Sequence, residues 1–588
     1  MVEPRFRWTF PAALSLGPDL LEAAQRHALS SRVAGILAAR GISGAADLDA
    51  WFGTPHAGLH DPSLLPDASL ALTRFERAKA NHERVMVFGD FDADGLTGLT
   101  ILVLALRRFG VDALPYVPSR LDEGHGLSLA SLDAAAAAGA SLIVTVDCGS
   151  TSGAEIAEAR RRRIDVIVTD HHRVPSVLPD AVALVNPHRP DSVYPDRRLA
   201  GSGVAFKVAC LLLRDEPGGR DAALALADLA TIGTVADVAP IVGENRAIAR
   251  LGLELMRRGP RPGLSALLEQ SGIRPDAVDL ESVAFAIAPR LNAAGRVGEA
   301  AEAARLLLAE DPAEAMQRAQ ALETANTTRR DLMKAAVADA RARLEGAPDA
   351  PATLVHGPWN VGIVGLVASR LADDRGRPAV VGAELGDVIR ASCRSDGVLD
   401  LGAALESCAD LFVRHGGHAG AAGFEISASR WDEFAERFTT LAAAAAPRDP
   451  RVSLAIDLAI PALDVDYALQ RDLARLEPCG PGNPEPLIAI VGLTATRVRP
   501  ASGGHSQLTL KRRLDVLDGI AFGRPDIAEV VREGDRLDVV ARVTSRRFGG
   551  FESLQLDIRD VATAGTHPET AALLGSPPSA ASLAGVPA

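Results

Sequence analysis

Four short, nearly unbroken apolar runs, RVMVF (84–88), SLIVTV (141–146), IDVIVT (164–169) and ALVNP (183–187), alternate with amphipathic segments such as LTGLTILVLALRRF and AEIAEARRRR. A strand that is apolar on both faces must be covered on both. The intervening helical segments supply that cover, so the spacing predicts a parallel sheet inside an α/β domain. Residues 1–80 read as a mostly helical N-terminal region, and about 200–345 as a helical continuation of the first α/β domain. TLVHG, the helix VGIVGLVASRLADD and PAVVGAE (353–384) open a second, smaller α/β unit. From about 450 to 560, short alternating runs separated by turn residues have the spacing of a small all-β barrel. The Ala/Ser/Pro/Gly-rich stretch 563–588 is expected to be disordered.

The acids sit where these runs end. Asp90, Asp92 and Asp94 (GDFDADG) follow the first run, Asp147 (TVDCGS) ends the second, and Asp170, His171 and His172 (VTDHH) end the third. In an open parallel sheet, ligands bind beyond the carboxyl ends of the strands, so the three clusters converge on one edge. That many carboxylates repel one another and lose solvation unless cations neutralise them. Oxygen donors with one or two imidazoles and no thiolate favour Mg²⁺ or Mn²⁺ over zinc. Two such ions roughly 3.5–4 Å apart could activate water for attack on a phosphodiester. Taken singly the pieces are weaker. D-x-D-x-D-G opens like a calcium loop, but Ile101 stands where the bidentate Glu belongs. A strand-end Asp commonly serves a turn or a helix cap.

Charge and cysteine content narrow the classes. With 62 basic and 75 acidic residues the net charge is −13, which excludes a strongly basic nucleic-acid-binding chain. A local basic groove stays possible, because binding depends on the phosphates contacted. Only Lys79, Lys207, Lys334 and Lys511 are lysines, and we read this Arg bias as compositional drift. Cys148, Cys210, Cys393, Cys408 and Cys479 form no C-x-x-C pair, so neither a disulfide framework nor a zinc knuckle fits. MVEPRFRWTF lacks a signal-peptide core, and the apolar stretch 222–242 carries Asp228 and Asp237, which suits a buried helix better than a bilayer span. A cytoplasmic protein without membrane attachment is expected.

The order GDFDADG, TVDCG, VTDHH and GTVADVAP (with Asp237) resembles the DHH phosphoesterase superfamily, and GGHAGAAG (416–423) is similar to its DHHA1 domain. PSRLDEGHGL (118–127), LAGSGVAFK (199–207), GENR (243–246), APRLNAAGR (288–296), VGIVGLVASR (361–370), CRSDG (393–397) and PGNPEP (481–486) narrow the resemblance to the RecJ exonucleases. It implies a DHH domain with helical connector over 81–345, a DHHA1 domain over 346–445 and an OB-fold nucleic-acid-binding domain over 446–562. It also implies two divalent ions, Mn²⁺ or Mg²⁺, held by Asp90, Asp92, Asp94, Asp147, His171 and Asp237, with Asp147 as the bridge. Asp170 would orient the ligands, His172 would face the substrate phosphate, and Arg290 would meet the scissile phosphate. Arg120, Ser392 and Arg394 resemble the group that holds a terminal 5′-phosphate. His418, behind Gly416 and Gly417, would lie on the substrate, although those glycines equally suit a tight turn. Lys511–Arg513, Arg546, Arg547, Phe548 and Phe551 are candidate barrel contacts. We assign Arg160–Arg163, in the last turn of a helix, to structure.

The resemblance thus implies 5′-to-3′ degradation of single-stranded DNA to 5′-mononucleotides in repair and recombination, alongside single-strand binding protein and a helicase. Two other readings compete. A DHH phosphodiesterase for short oligonucleotides or cyclic dinucleotides would ordinarily lack the barrel, and a non-catalytic scaffold would have shed the acids. Four places depart from the family pattern: His125, Asn360, Cys479 and the turn SRRFGG (545–550). They bear on substrate contacts rather than on the metal ligands.

Overall fold

A computed structural model of the chain describes residues 2–12, 15–120, 123–346, 350–395, 397–445, 451–548 and 551–574. They divide into two compact units, 55–450 and 1–54 together with 451–588.

The larger unit contains two sheets. The first is five-stranded and wholly parallel, in the order Asp112–Tyr116, Arg84–Gly89, Ala140–Val146, Asp165–Thr169, Ala183–Val185. Its double-sided burial explains the unbroken apolar runs. Val85 and Val87 enter one core, while Met86 and Phe88 enter the other. The chain passes from the strand Arg84–Gly89 outward to Asp112–Tyr116, then back across to Ala140–Val146. This places a topological switch point, and hence a crevice, between Arg84–Gly89 and Ala140–Val146. The helix Ala93–Phe109 starts abruptly because Asp92 caps it, its Oδ1 accepting from the Asp94 and Gly95 amides at 3.0 and 3.1 Å. The apolar stretch 222–242 contains the buried helix Ala227–Ala236, with Asp228 paired to Arg261 at 2.7 Å. Among the described residues, no helix is long and apolar enough to cross a membrane.

The 32-residue helix Pro312–Arg343 leads to the second sheet, of mixed direction: Phe412–Gly417, Ala421–Ser427, Val388–Arg394, Ala379–Leu385, Thr353–Gly357. Only the last pair is parallel. Arg160, Arg161 and Arg162 pair with Asp180, Glu158 and Asp133, in keeping with a structural role.

In the smaller unit, the strands Ile488–Ala501, His505–Arg512, Asp515–Ala521, Phe551–Thr563 and Arg536–Phe548 close into a barrel, because the last also pairs with the first. The N-terminal region, expected as one helical block over 1–80, is shared between the units at Thr54/Pro55. Its first segment is a strand, Arg7–Thr9, parallel to Ser453–Ala455. Trp8 anchors it, donating from Nε1 to Asp560 at 2.8 Å and stacking on His567. The stretch expected to be disordered includes a short helix, Pro568–Ala571, and from residue 575 onward it lies outside the described residues.

Candidate metal centre and substrate pocket

The carboxyl ends of three adjacent strands deliver Asp90, Asp147 and Asp170–His172 to the crevice, and the end of the helix Ala227–Ala236 delivers Asp237. His171 is the hub. Its Nε2 lies 3.0 Å from Asp147 Oδ1 and 3.9 Å from Asp94 Oδ2, and its Nδ1 lies 3.8 Å from Asp237 Oδ2. Asp90, Asp92 and Asp147 form a second group, with one oxygen of each within 4.8 Å of the others. Asp147 therefore joins two sets of donors, lying with Asp90 and Asp92 on one side and with His171 and His172 on the other, through a backbone held at φ +62°.

These residues fit divalent ions. Asp90 Oδ1, Asp147 Oδ1 and His171 Nε2 are buried without a hydrogen-bond partner, the last two facing each other at 3.0 Å outside hydrogen-bond geometry. Lone pairs buried in this way cost free energy unless something positive lies between them. A donor set rich in oxygen, with one imidazole and no thiolate, suits Mn²⁺ or Mg²⁺.

The same crowding holds protons on three of the acids. Burial, then the charges of Asp90 and Asp94, push Asp92 up to about 6. Burial and Asp94 push Asp237 up to about 7, and Asp147 rises well above the usual carboxylate range for the same reasons. For Asp92 and Asp237 the folded pKa exceeds the unfolded value of 3.8, so the metal-free fold binds more protons than the unfolded chain between about pH 4 and 7. Its stability falls as pH rises through that window, and divalent ions remove the penalty. Calorimetry should therefore show a Mn²⁺-induced rise in Tm that is small at pH 5 and grows to several degrees by pH 8. A rise independent of pH would contradict this site.

Asp170 behaves differently. It accepts from the Ser150, His171 and His172 amides and from His172 Nδ1 at 2.7–3.1 Å, which holds it ionised despite its burial. An ionised carboxylate only accepts, so His172 carries its proton on Nδ1 and presents Nε2 away from Asp170. Helix termini complete the site, since the Gly201 and Ser202 amides, opening the helix Gly201–Leu212, donate to the two Asp94 oxygens at 2.6 and 2.9 Å.

Beside the acids, a cavity of about 270 Å³ is lined by Phe91, Arg120, His125, Ser392 and residues of the second sheet. Arg394 adjoins it, near enough to Arg120 and Arg296 to influence their charges. Gly365, in the first turn of the helix Val364–Arg375, stands where a Cβ would meet Arg394 Nη2 at 3.0 Å and Ser392 Oγ at 3.5 Å. Arg120 and Ser392 thus line the cavity, with Arg394 and a helix N-terminus beside Ser392, a setting suited to a phosphate.

Other expected residues are placed differently. Arg290 is tied to Glu323 at 2.5 Å and donates to the Ala286 carbonyl. His418 is exposed in the hairpin turn after Gly417, whose φ of +141° and close approach to Ala422 require glycine, so the tight-turn reading describes its geometry. Lys511 is exposed on the barrel and Arg513 sits in a left-handed turn, while the side chains of Arg547, Phe548 and Phe551 lie outside the described residues. Of the departures from the family pattern, His125 packs on Phe91 and meets Asp90 Oδ2 at 3.0 Å. Asn360 accepts from the Gly362 amide at 2.7 Å.

The sequence reading passed over Arg296. It is half-buried, and desolvation followed by Arg120, Arg329 and Arg394 lowers its pKa to about 9. Its place in APRLNAAGR was the available signal. The same segment supplies Asn292, which accepts from the Ala93 amide at 2.8 Å and ties this helix to the acidic loop.

A doubly wound sheet with a strand-end acid and imidazole cluster, followed by a mixed-sheet domain, defines a DHH-type phosphoesterase. Family models agree, matching the DHH family N-terminal domain over 84–234, the DHHA1 domain over 351–444 and the RecJ OB domain over 456–560. Single-stranded-DNA-specific exonuclease RecJ of Bacillus subtilis is 33% identical over 90% of this chain and 68% of its own length. The Escherichia coli protein of the same name is 35% identical over 81% and 87%. The crystal structure of Thermus thermophilus RecJ in complex with Mn²⁺ superposes with a TM-score of 0.79, at 31% identity, covering 95% of this chain and 80% of that one. The corresponding Mg²⁺ complex gives 0.72 at 30% identity, covering 95% and 78%. The chain belongs to the RecJ family.

Proposed function

We propose that this chain is a metal-dependent exonuclease specific for single-stranded DNA, which it degrades from the 5′ end to 5′-mononucleotides. One observation carries the polarity: the carboxylate centre adjoins a cationic cavity lined by Arg120 and Ser392, with Arg394 beside Ser392, and these three have the donors of a phosphate-monoester site. A strand seated there by its terminal phosphate offers the next phosphodiester to the acids. Cleavage at a fixed distance from one end is exonucleolytic by construction.

Two divalent ions held by Asp90, Asp92, Asp94, Asp147, His171 and Asp237 would acidify water and neutralise charge developing on phosphorus. The chain's own residues do the rest. Asp147 stands between the two ligand groups and fixes their separation. Asp170 orients His172, whose Nε2 faces the substrate and whose pKa the Asp170 hydrogen bond raises. Arg290 exchanges Glu323 for the scissile phosphate. Gly416, Gly417 and His418 shape the hairpin beside the strand's path, and the domains run to borders near 80, 345, 445 and 562. The chain would act in the cytoplasm, beside the single-strand binding protein and helicase that a repair role implies.

The test uses single strands labelled at either end, with Mn²⁺, Mg²⁺ or EDTA. Label should appear as mononucleotide first from the 5′ end and only with metal. Arg394→Ala should reduce the preference for a 5′-phosphate over a 5′-hydroxyl about tenfold or more, the worth of one charge-assisted bond. Release first from the 3′ label would overturn the assignment.

A further inference from the structure

The cavity does not stop at the terminal-phosphate residues. Along the strand Val388–Arg394 the side chains alternate. Ile389, Ala391 and Cys393 enter the core, while Arg390, Ser392 and Arg394 stand on the opposite face. One side-chain repeat beyond Ser392, roughly 6.8 Å along the strand, comes Arg390. The sheet register places Glu425 opposite Arg390, and Arg414 opposite Glu425. All three line the same cavity as Ser392 and Arg120. Both guanidiniums bond a single oxygen, Glu425 Oε2, at 3.2 Å from Arg390 Nη2 and 2.8 Å from Arg414 Nη2. One carboxylate between two arginines leaves a surplus positive charge, and His415 stands on the same wall. In the row through Ser392 the cross-strand neighbours are Gly423 and Gly416, so no side chain of theirs separates the two cationic rows. A single phosphate held at Ser392 does not need arginines one repeat further along the strand. A chain of phosphates does.

We propose that Arg390 and Arg414 form an outer anion subsite, which receives the distal phosphates of a strand whose 5′ end is a di- or triphosphate. The inference rests on the terminal-phosphate reading above. Hydrolysis itself is unchanged: water adds across the first phosphodiester, breaking the bond from phosphorus to the 3′-oxygen of the terminal nucleotide. That nucleotide leaves with a 3′-hydroxyl and its phosphate chain intact, and the remaining strand carries a 5′-monophosphate. The first product from a triphosphate-ended strand is then a nucleoside 5′-triphosphate, and every later product a monophosphate.

The test compares strands of one sequence ending in 5′-hydroxyl, monophosphate or triphosphate, with the first product identified by anion-exchange chromatography. The wild-type chain should release nucleoside triphosphate within about threefold of its rate on the monophosphate end. Arg390→Gln and Arg414→Gln should each slow that first cleavage about tenfold and leave the monophosphate strand within about twofold. Glu425→Gln, which adds to the surplus charge, should favour the triphosphate end. A wild-type chain that stalls on the triphosphate end, trims it to a monophosphate first, or is slowed alike on both ends by the two variants would overturn the subsite alone. Indifference of the wild type to hydroxyl against monophosphate ends would overturn the terminal-phosphate reading and the subsite with it.

Discussion

Asp147→Asn should abolish nucleotide release while making the metal-free protein more stable. Asp147 is the one carboxylate that joins both sets of donors, and its Oδ1 is a buried lone pair 3.0 Å from His171 Nε2. An amide in its place weakens both groups at once. A loss of about 10⁴-fold in kcat/KM, or ~5.5 kcal/mol of transition-state stabilisation, is expected. The opposite sign in stability comes from the same crowding. Burial and the neighbouring Asp94, Asp92 and Asp90 disfavour the charged form, so a neutral side chain of equal shape relieves repulsion in the ion-free fold. Tm in EDTA should rise by about 2 °C or more, the Mn²⁺-induced rise should shrink, and affinity for single-stranded DNA should persist. Activity, calorimetry and DNA binding on one preparation separate this from misfolding. Undiminished hydrolysis would remove Asp147 from the centre, and a lower Tm in EDTA would mean that the carboxylate is structural.

The strand-end acids were legible because they are local. Each lies within a few residues of an apolar run whose burial on both faces already implies a parallel sheet, and such a sheet has only one edge at which the acids can gather. The −13 net charge resolves in the same terms. Six carboxylates, those of Asp90, Asp92, Asp94, Asp147, Asp170 and Asp237, converge near His171 and His172, and Arg120, Arg296, Arg390, Arg394 and Arg414 gather around the neighbouring cavity. An acidic total thus conceals a segregated site. Long-range pairings were not legible. Nothing local in RWT says that it will lie beside Ser453–Ala455, and the turns after Trp51 did not show that the chain changes unit at Thr54. Arg290 and Arg296 share one segment and look alike in sequence. Only the fold ties the first to Glu323 and sets the second among Arg120, Arg329 and Arg394. The outer row through Glu425 was hidden for the same reason, since it depends on the register of three strands.

Gly233→Ala should cripple the enzyme although it improves the helix. Gly233 lies inside Ala227–Ala236, where alanine is favoured over glycine by about 1 kcal/mol. A Cβ there would lie 2.2 Å from Ser202 Oγ and 2.4 Å from Asp94 Oδ1. Neither neighbour can yield cheaply. The Ser202 amide opens a helix and donates to Asp94, whose other oxygen is held by the Gly201 amide. Gly201 is pinned in turn, because Asp147 Cβ would lie 2.6 Å from a Cβ of its own. The new methyl must therefore displace Asp94, and a shift of about 1 Å among metal ligands costs roughly 100-fold in rate. Overpacking of about 1–3 kcal/mol offsets the propensity gain, so Tm should stay level or fall by a few degrees. The contrasting case is Gly35, inside the helix Ser31–Ala39, where a Cβ meets nothing within 4 Å. Gly35→Ala should stabilise by about 0.5–1 kcal/mol with activity unchanged. If Gly233→Ala also stabilises and retains its rate, Asp94 is not held by this contact. A rate loss with Mn²⁺ affinity weakened about 10- to 100-fold places the effect on the ligand geometry.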